Sequence, residues 1–257
     1  MCLKKTNLHL VTGGAGFLGS HLIDKLIDLN NEVICIDNFS SGKLKNIQAF
    51  LNKDNFTLIK KDISEFIDLK PNFIWHLACP ASPSKYILDP IQTAKTCSIG
   101  TFNMLELAKR NNSKFIYFSS SEIYGQSTSY PLKENDLAMF KSPGERSCYS
   151  EGKRFGEIIC QDYEKTYGLD LKIVRIFNTY GPRMYEDDLR VISNFIYRSL
   201  KNKNLIIFGS GEQTRSFCYV DDLIRGLLKV ASSNYKKPIN LGSKEEISIY
   251  DLAKKIK

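Results

Sequence analysis

The sequence predicts an α/β protein: a doubly wound parallel sheet with a smaller, partly interleaved α/β lobe. Three observations carry that expectation. Short β-branched or aromatic runs alternate with amphipathic stretches over the first two-thirds of the chain, the pattern of strand–helix–strand units in a parallel sheet. One run, Phe73-Ile74-Trp75-His76-Leu77-Ala78, is apolar almost without a break, as a strand buried on both faces requires. A glycine-rich turn, Gly13-Gly14-Ala15-Gly16-Phe17-Leu18-Gly19, stands where the first strand gives way to the first helix.

Taken in order, strands are expected at residues 8–12, 33–37, 56–60, 73–78, 115–119 and 172–177, with helices at 17–29, 43–51, 90–110 and 149–167. Beyond Asn178 the pattern loosens. A Gly-Pro-Arg turn leads to a helix over 189–200, a strand over 205–208, a Gly-Ser-Gly loop, a helix from Asp222 and a short strand at 239–241. The expected division is a main domain of residues 1–177 and 217–241 and a smaller lobe of residues 178–216 and 242–257. The sequence stops inside a helical pattern over 249–256, so a C-terminal continuation is expected.

At 257 residues, 42% hydrophobic and 25% charged, the composition is that of a globular chain large enough for one main core and an added lobe. No apolar run reaches the length of a membrane span, and the few residues before the first strand leave no room for a secretion signal. A cytoplasmic location and no membrane partner are therefore expected. The net charge of +8 is scattered over short lysine clusters, with no arginine stripe interleaved with aromatics, so no nucleic-acid partner is expected. The seven cysteines include no Cys-x-x-Cys pair and the three histidines show no metal spacing. They read as reduced, mostly structural thiols and no metal site; His76, in an apolar strand, reads as a packed core histidine.

The glycine turn carries chemistry as well as fold. Gly13 and Gly16 permit a tight turn and let a pyrophosphate approach backbone N–H groups at a helix N-terminus. With Asp37 closing the second strand, the unit becomes a Rossmann-type dinucleotide site. A carboxylate there accepts hydrogen bonds from the adenosine ribose and repels a 2′-phosphate, favouring NAD, although Lys43 keeps NADP from being excluded. Asp62 is either a contact to the adenine edge or the N-cap of a helix starting at Ile63, and the sequence supports both equally.

Tyr149 and Lys153 stand four apart, on one face of an expected helix. An ammonium near a phenol favours the phenolate, so a lowered Tyr149 pKa is expected. Such a tyrosine can take a proton from a sugar hydroxyl and return it. For a substrate diphosphate, Arg215 and Arg190 are the first candidates and Arg183 the third, since a guanidinium grips phosphate bidentately. A lobe-to-lobe ion pair is the rival role for each.

These residues lie in segments that resemble the extended short-chain dehydrogenase/reductases, and within them the UDP-glucuronate decarboxylases (UDP-xylose synthases). Besides the glycine loop, the matching segments are Asp37-Asn38-Phe39, His76-Leu77-Ala78-Cys79-Pro80-Ala81-Ser82-Pro83 and Ser119-Ser120-Ser121-Glu122-Ile123-Tyr124-Gly125. They continue with Cys148-Tyr149-Ser150-Glu151-Gly152-Lys153-Arg154, Arg175 to Arg183, and Gly209 to Arg215. The resemblance spans essentially the whole chain. The glycine loop and Tyr-x-x-x-Lys mark the superfamily; Cys-Pro-Ala-Ser-Pro and Ser-Ser-Glu point to the decarboxylases. Two residues depart from the pattern: Ser150, where relatives commonly have Asp, and Ser120, where they often have Thr.

The resemblance implies NAD as cofactor, a UDP-sugar as substrate, and decarboxylation through a 4-keto intermediate with the cofactor recycled. Tyr149 would take the C4 hydroxyl proton, Ser120 would orient the C4 oxygen, Lys153 would hold the nicotinamide ribose, and Glu122 would serve the carboxylate region or a proton-donating water. It implies further cofactor contacts at Phe17, Leu18, Asn38, Ser40, Ser41, Gly42, Ile63, Leu77, Cys79, Thr96 and Thr179. It also places Lys95, Asn103, Lys109 and Arg110 near substrate, and implies a homodimer through helices 90–110 and 149–167. A 4-epimerase or 4,6-dehydratase on the same scaffold is the rival activity. A dehydratase pattern places Asp immediately before Glu, where this chain has Ser121. An NAD-binding protein without turnover would have no need of Ser120, Tyr149 and Lys153.

Overall fold

The computed structural model describes residues 6–127, 130–139, 144–185 and 190–257. Its strands in chain order are β1 (Leu8–Thr12), β2 (Glu32–Asp37), β3 (Phe56–Lys60), β4 (Phe73–His76), β5 (Lys114–Ser120), β6 (Leu171–Ile176), β7 (Thr179–Tyr180), β8 (Thr214–Ser216), β9 (Cys218–Tyr219), β10 (Ile239–Leu241) and β11 (Glu246–Ser248). The helices are α1 (Phe17–Asp28), α2 (Pro83–Tyr86), α3 (Pro90–Lys95), α4 (Thr101–Asn111), α5 (Ser147–Tyr167), α6 (Val191–Leu200), α7 (Val220–Ser232) and α8 (Ile249–Ile256).

Seven strands form one parallel sheet in the order β10-β6-β5-β4-β1-β2-β3. From β1 the chain winds one way through β2 and β3, then the other way through β4, β5 and β6. The direction reverses between β1 and β4, which opens a crevice at their carboxyl ends. Consecutive strand residues serve opposite faces. Val11, Cys35 and Trp75 join α1 and α7 in one core, while Leu10, Ile36 and Ile74 join α4 and α5 in the other. Two-sided burial explains the unbroken apolar runs. A third, smaller core joins Ile192 and Phe195 of α6 to Ile249, Leu252 and Ala253 of α8.

Buried Arg175 on β6 pins α5 to the sheet. Its Nε and Nη2 donate to the two Glu157 oxygens at 3.0 and 2.8 Å, and its Nη1 to Tyr124 Oη at 2.8 Å. Tyr124 Oη donates in turn to Asn240 Oδ1 of β10 at 2.7 Å. The first residues of α5, Tyr149 among them, are thus held against the ends of β5 and β6.

Several expected elements differ. Instead of a helix over 43–51 there are two 3₁₀ turns, Leu44–Asn46 and Gln48–Phe50. Lys43 N–H and the Asn46 side-chain Nδ2 both donate to the Ala15 carbonyl, which ties the segment to the glycine loop, while Asn46, Ile47 and Phe50 N–H groups bond three residues back. The helix expected over 90–110 is interrupted by a π segment, Thr96–Gly100. Thr96, Ser98 and Thr101 hydroxyls donate back to the carbonyls of Gln92, Ala94 and Cys97, which loosens the ladder there. Residues 205–208 form no strand: a small two-stranded sheet is made instead by β8 with β11. Leu205 and Ile207 still pack on the α6–α8 core, so their alternation reports burial without pairing. The strand expected to run to Ala78 ends at His76, and the helix expected from Leu189 begins at Val191, Leu189 lying outside the described residues.

Candidate active site

A cleft of about 600 Å³ opens at the crevice between β1 and β4 and runs to the N-terminus of α6 and to β8. One end is built by the glycine loop. Gly13 has φ +71°, and a Cβ there would stand 2.9 Å from the backbone N and Cα of Ala78, so only glycine lets β1 and β4 end so close together. Gly16, Phe17 and Leu18 line the same wall. At the end of β2, Asp37 Oδ2 accepts from Ala15 N–H at 2.9 Å and Oδ1 from Phe39 N–H at 2.8 Å. Burial pushes its carboxyl up, and those two N–H groups work against the rise. Asn38, Ser40, Ser41 and Gly42 continue the wall from Asp37.

Asp62 does not cap a helix; a turn follows it. Its Oδ1 accepts from Ser64 N–H and Oγ at 2.8 and 2.6 Å, and its Oδ2 from Asn38 and Gln92. Burial favours the neutral acid, but these bonds together outweigh it and hold the carboxyl below its usual value. Asp62, Ile63, Leu77, Cys79, Thr96 and Thr179 all border the cleft.

The wall carries buried polar atoms without a partner among the described residues: Ser119 Oγ and Arg183 Nη1. Arg183, at φ +66°, spends Nη2 on an ion pair with Asp24 of α1. That is the ion-pair role weighed against phosphate binding for this arginine, although Nη1 stays available. The narrow glycine turn, the carboxylate at the end of β2 and these orphaned donors fit an anionic dinucleotide.

At the other end, β5 and α5 bring the reacting groups together. Ser120 ends β5 and accepts from Glu122 N–H at 3.2 Å, capping a 3₁₀ turn that sets Glu122 at the rim. Tyr149 lies in the first turn of α5, buried, its ring stacked on Tyr86 at 4.9 Å and 6°. Burial lifts the Tyr149 phenol well above its ordinary value, the nearby Glu122 carboxylate adds to the rise, and a hydrogen bond to Ser120 opposes it. The expectation of a lowered value is therefore corrected. Lys153 Nζ donates to the Phe118 carbonyl at 2.8 Å and is only 4% exposed, so its charge is spent on β5 rather than on the phenol. Burial also raises the Glu122 carboxyl, against the pull of Arg146. Tyr86 Oη has no partner in hydrogen-bonding geometry, although Glu122 stands close enough to act on it.

Beneath these groups His76 is held neutral. Thr101 Oγ1 donates to the Cys97 carbonyl at 2.7 Å and so accepts from His76 Nε2–H at 3.1 Å. Thr12 Oγ1 receives Ala78 N–H at 3.2 Å and gives its own proton to Nδ1 at 2.9 Å. Burial, with the Lys153 charge nearby, lowers the ring to about 3.

Not every expected residue meets the cleft. Arg190 and exposed Arg215 line it. Lys95 is exposed at the end of α3, and Asn103 Nδ2 donates to the Ile63 and Glu65 carbonyls, holding the loop after β3. Lys109 pairs with Glu106 and Arg110 with the Ile67 carbonyl. None of the four lines the cleft; Asn103, Lys109 and Arg110 instead hold the helix and its neighbouring loop in place. Conversely, Arg146, Lys85 and Tyr185 line the cleft without having been singled out; Tyr185 sits between the ammonium groups of Lys43 and Lys85, 3.6 and 4.9 Å from its ring centre. Arg146 stands three residues before Tyr149, so one turn of helix was its signal. Lys85 and Tyr185 had none, being joined only by tertiary structure.

A parallel sheet with this glycine turn, an acid ending β2 and Tyr-x-x-x-Lys beside a serine of β5 defines a dinucleotide-dependent enzyme of the extended short-chain dehydrogenase type. The chain belongs to the NAD dependent epimerase/dehydratase family, whose model matches residues 9–242. It is 46% identical over 248 residues to UDP-glucuronic acid decarboxylase 1 of Xenopus tropicalis, covering 96% of this chain but 59% of that relative. It is 45% identical over 249 residues to UDP-glucuronic acid decarboxylase 6 of Arabidopsis thaliana, covering 96% and 73% respectively. Among solved structures, UDP-glucuronic acid 4-epimerase from Bacillus cereus, in complex with UDP-glucuronic acid and NAD, matches with a TM-score of 0.83 at 33% identity, over 95% of this chain and 80% of that one.

Proposed function

We propose that this chain is a carboxy-lyase that converts UDP-glucuronate to UDP-xylose with NAD recycled in each turnover. The observation that carries the reading is the meeting of Ser120, Glu122 and Tyr149 at one point of the cleft, with Arg146 beside Glu122. The similarity to proteins named UDP-glucuronic acid decarboxylases supports it.

Gly13 and Gly16 would hold the cofactor's pyrophosphate, Asp37 its adenosine ribose and Lys153 its nicotinamide ribose. NAD, when bound, supplies the hydride acceptor and donor for C4 and a positive charge that favours the Tyr149 phenolate. Tyr149 takes the C4 hydroxyl proton, and Ser120 orients that oxygen through a hydrogen bond. The 4-keto sugar is a β-keto acid with respect to its C5 carboxylate, so loss of CO₂ leaves an enolate. The Ser120 and Tyr149 hydroxyls donate to the enolate oxygen, where negative charge gathers. Glu122, its pKa raised by burial, holds a proton more readily than an exposed carboxylate and delivers it to C5 directly or through water. Arg190 and Arg215 bind the diphosphate.

A second reading is 4-epimerisation of the same substrate, the activity in the name of the Bacillus cereus structure. Incubation with UDP-glucuronate, followed by NMR of the nucleotide sugar and measurement of CO₂, separates the two. UDP-xylose with CO₂ supports decarboxylation; UDP-galacturonate without CO₂ establishes the epimerase.

The assembly is a homodimer built on α4 and α5. Ile99 and Phe102, with Phe155 and Ile158, put large apolar side chains in solvent on adjoining helices, the surface a four-helix bundle would cover. The location is the cytoplasm, in keeping with six described cysteines that are all free. No described helix is long and apolar enough to cross a membrane.

A further inference from the structure

The Sγ atoms of Cys79 and Cys97 lie 3.2 Å apart, inside van der Waals contact for two sulfurs. Cys79 stands in the loop after β4 and lines the cleft. Cys97 is buried in the π segment, backed by α5: a Cβ on Gly152 would stand 3.1 Å from its sulfur. Both thiols are free, and among the described residues no cluster could hold a metal. The chemistry of the cleft uses neither sulfur.

We infer that Cys79 and Cys97 form a modification site, in which a hydroperoxide small enough to enter the cleft converts the two thiols into an intrachain disulfide. Closing the contact to a covalent S–S length needs an approach of about 1 Å, within reach of side-chain rotation. The two sulfurs share one hydrogen bond in which either can be the donor, and the Lys153 ammonium favours negative charge on both, so once one proton is lost the other can pass between them. With one of the two thiol protons released to solvent and the other held on Cys97, the Cys79 thiolate, facing the cleft, attacks one peroxide oxygen. The O–O bond breaks, leaving a Cys79 sulfenic acid and hydroxide, which leaves as water once protonated. Cys97 then attacks the Cys79 sulfur: the S–S bond forms, the S–O bond breaks, and the hydroxyl departs as water with the Cys97 proton. Two thiols lose two electrons and two protons, and one hydrogen peroxide becomes two waters.

Cys148 is the nearest competitor, but its Sγ is turned to the Tyr86 carbonyl at 3.5 Å. The protein as isolated is titrated with hydrogen peroxide, its remaining thiols are blocked, and it is digested without reductant for peptide mapping. The expected product is a peptide pair joining Cys79 to Cys97, lighter by two hydrogens and released by dithiothreitol. Cys148→Ser should form it as the unsubstituted protein does, while Cys97→Ser should instead accumulate oxidised Cys79. A pair joining either sulfur to Cys148, or sulfinic acid at Cys79 with no linked pair at any dose, overturns the inference. The unsubstituted protein decides the matter even where a serine variant misfolds.

Discussion

Acidification from pH 7 to pH 5 should weaken this fold through His76, although no histidine touches the reacting groups. The folded ring is lowered to about 3 from an unfolded value of 6.5. Between those values the unfolded chain binds a proton that the folded chain refuses. The stabilisation is therefore complete above the unfolded value and drains away as pH falls toward the folded one. The cause is visible: an imidazolium would carry hydrogen on both nitrogens and strand the Thr12 hydroxyl proton that Nδ1 now accepts. Between pH 7 and pH 5 the loss from this one ring is about 2 kcal/mol. His9, lowered by burial to about 4, adds to the loss, and buried Asp37 and Glu122, whose values are raised, act the other way. Comparison with His76→Asn removes those shared contributions. Urea unfolding at the two pH values should show the unsubstituted protein losing about 2 kcal/mol more than the variant. Equal losses would refute the neutral, buried ring.

Three further outcomes are expected. Tyr149→Phe should lower turnover about 10²–10⁴-fold while NAD stays bound, read by steady-state rates and cofactor content. Gly13→Ala should weaken NAD binding at least about tenfold by calorimetry, because the new methyl meets Ala78 at 2.9 Å and the left-handed backbone disfavours it by about 1–2 kcal/mol. Arg175→Met should destabilise by about 3–5 kcal/mol in urea unfolding by leaving Glu157 buried and unpaired, and Glu157→Leu on top of it should recover part of that.

The sheet was legible because two-sided burial writes itself into sequence. Strands at 8–12, 56–60 and 239–241 have the bounds their apolar runs imply, and α5 differs by two residues at its start. Periodicity failed where side chains or distant loops take over backbone hydrogen bonds. The 43–51 segment has helical spacing, yet Lys43 N–H and the Asn46 side chain tie it to Ala15 and its own N–H groups close tighter turns; the long helix before β5 has three hydroxyls that unseat its ladder. In the site, the glycine turn and Asp37 could be placed from strand ends, while Tyr149 came from its helical spacing to Lys153 and the role of Ser120 from the family resemblance. The electrostatics of Tyr149 could not. Helical spacing puts Lys153 on its face, but whether an ammonium reaches a phenol or a neighbouring strand's carbonyl is decided by packing depth. Lys95 and Asn103 share that lesson, since resemblance fixed their place in sequence and not what packs against them.

The edge pairing of β10 with β6 bears on how the chain reaches this state. Val174 and Ile239 are neighbours across the sheet but far apart along the chain, with β7, β8, β9, α6 and α7 made between them. Such distant pairing slows folding more than it lowers stability. Until β10 arrives, β6 is an open edge presenting unpaired N–H and C=O groups to any other chain, and the polar latch of Asn240 on Tyr124, Leu132 and Glu134 is unfastened. Refolding is thus a race between intramolecular closure and intermolecular strand addition, and recovery of the native protein should improve with dilution.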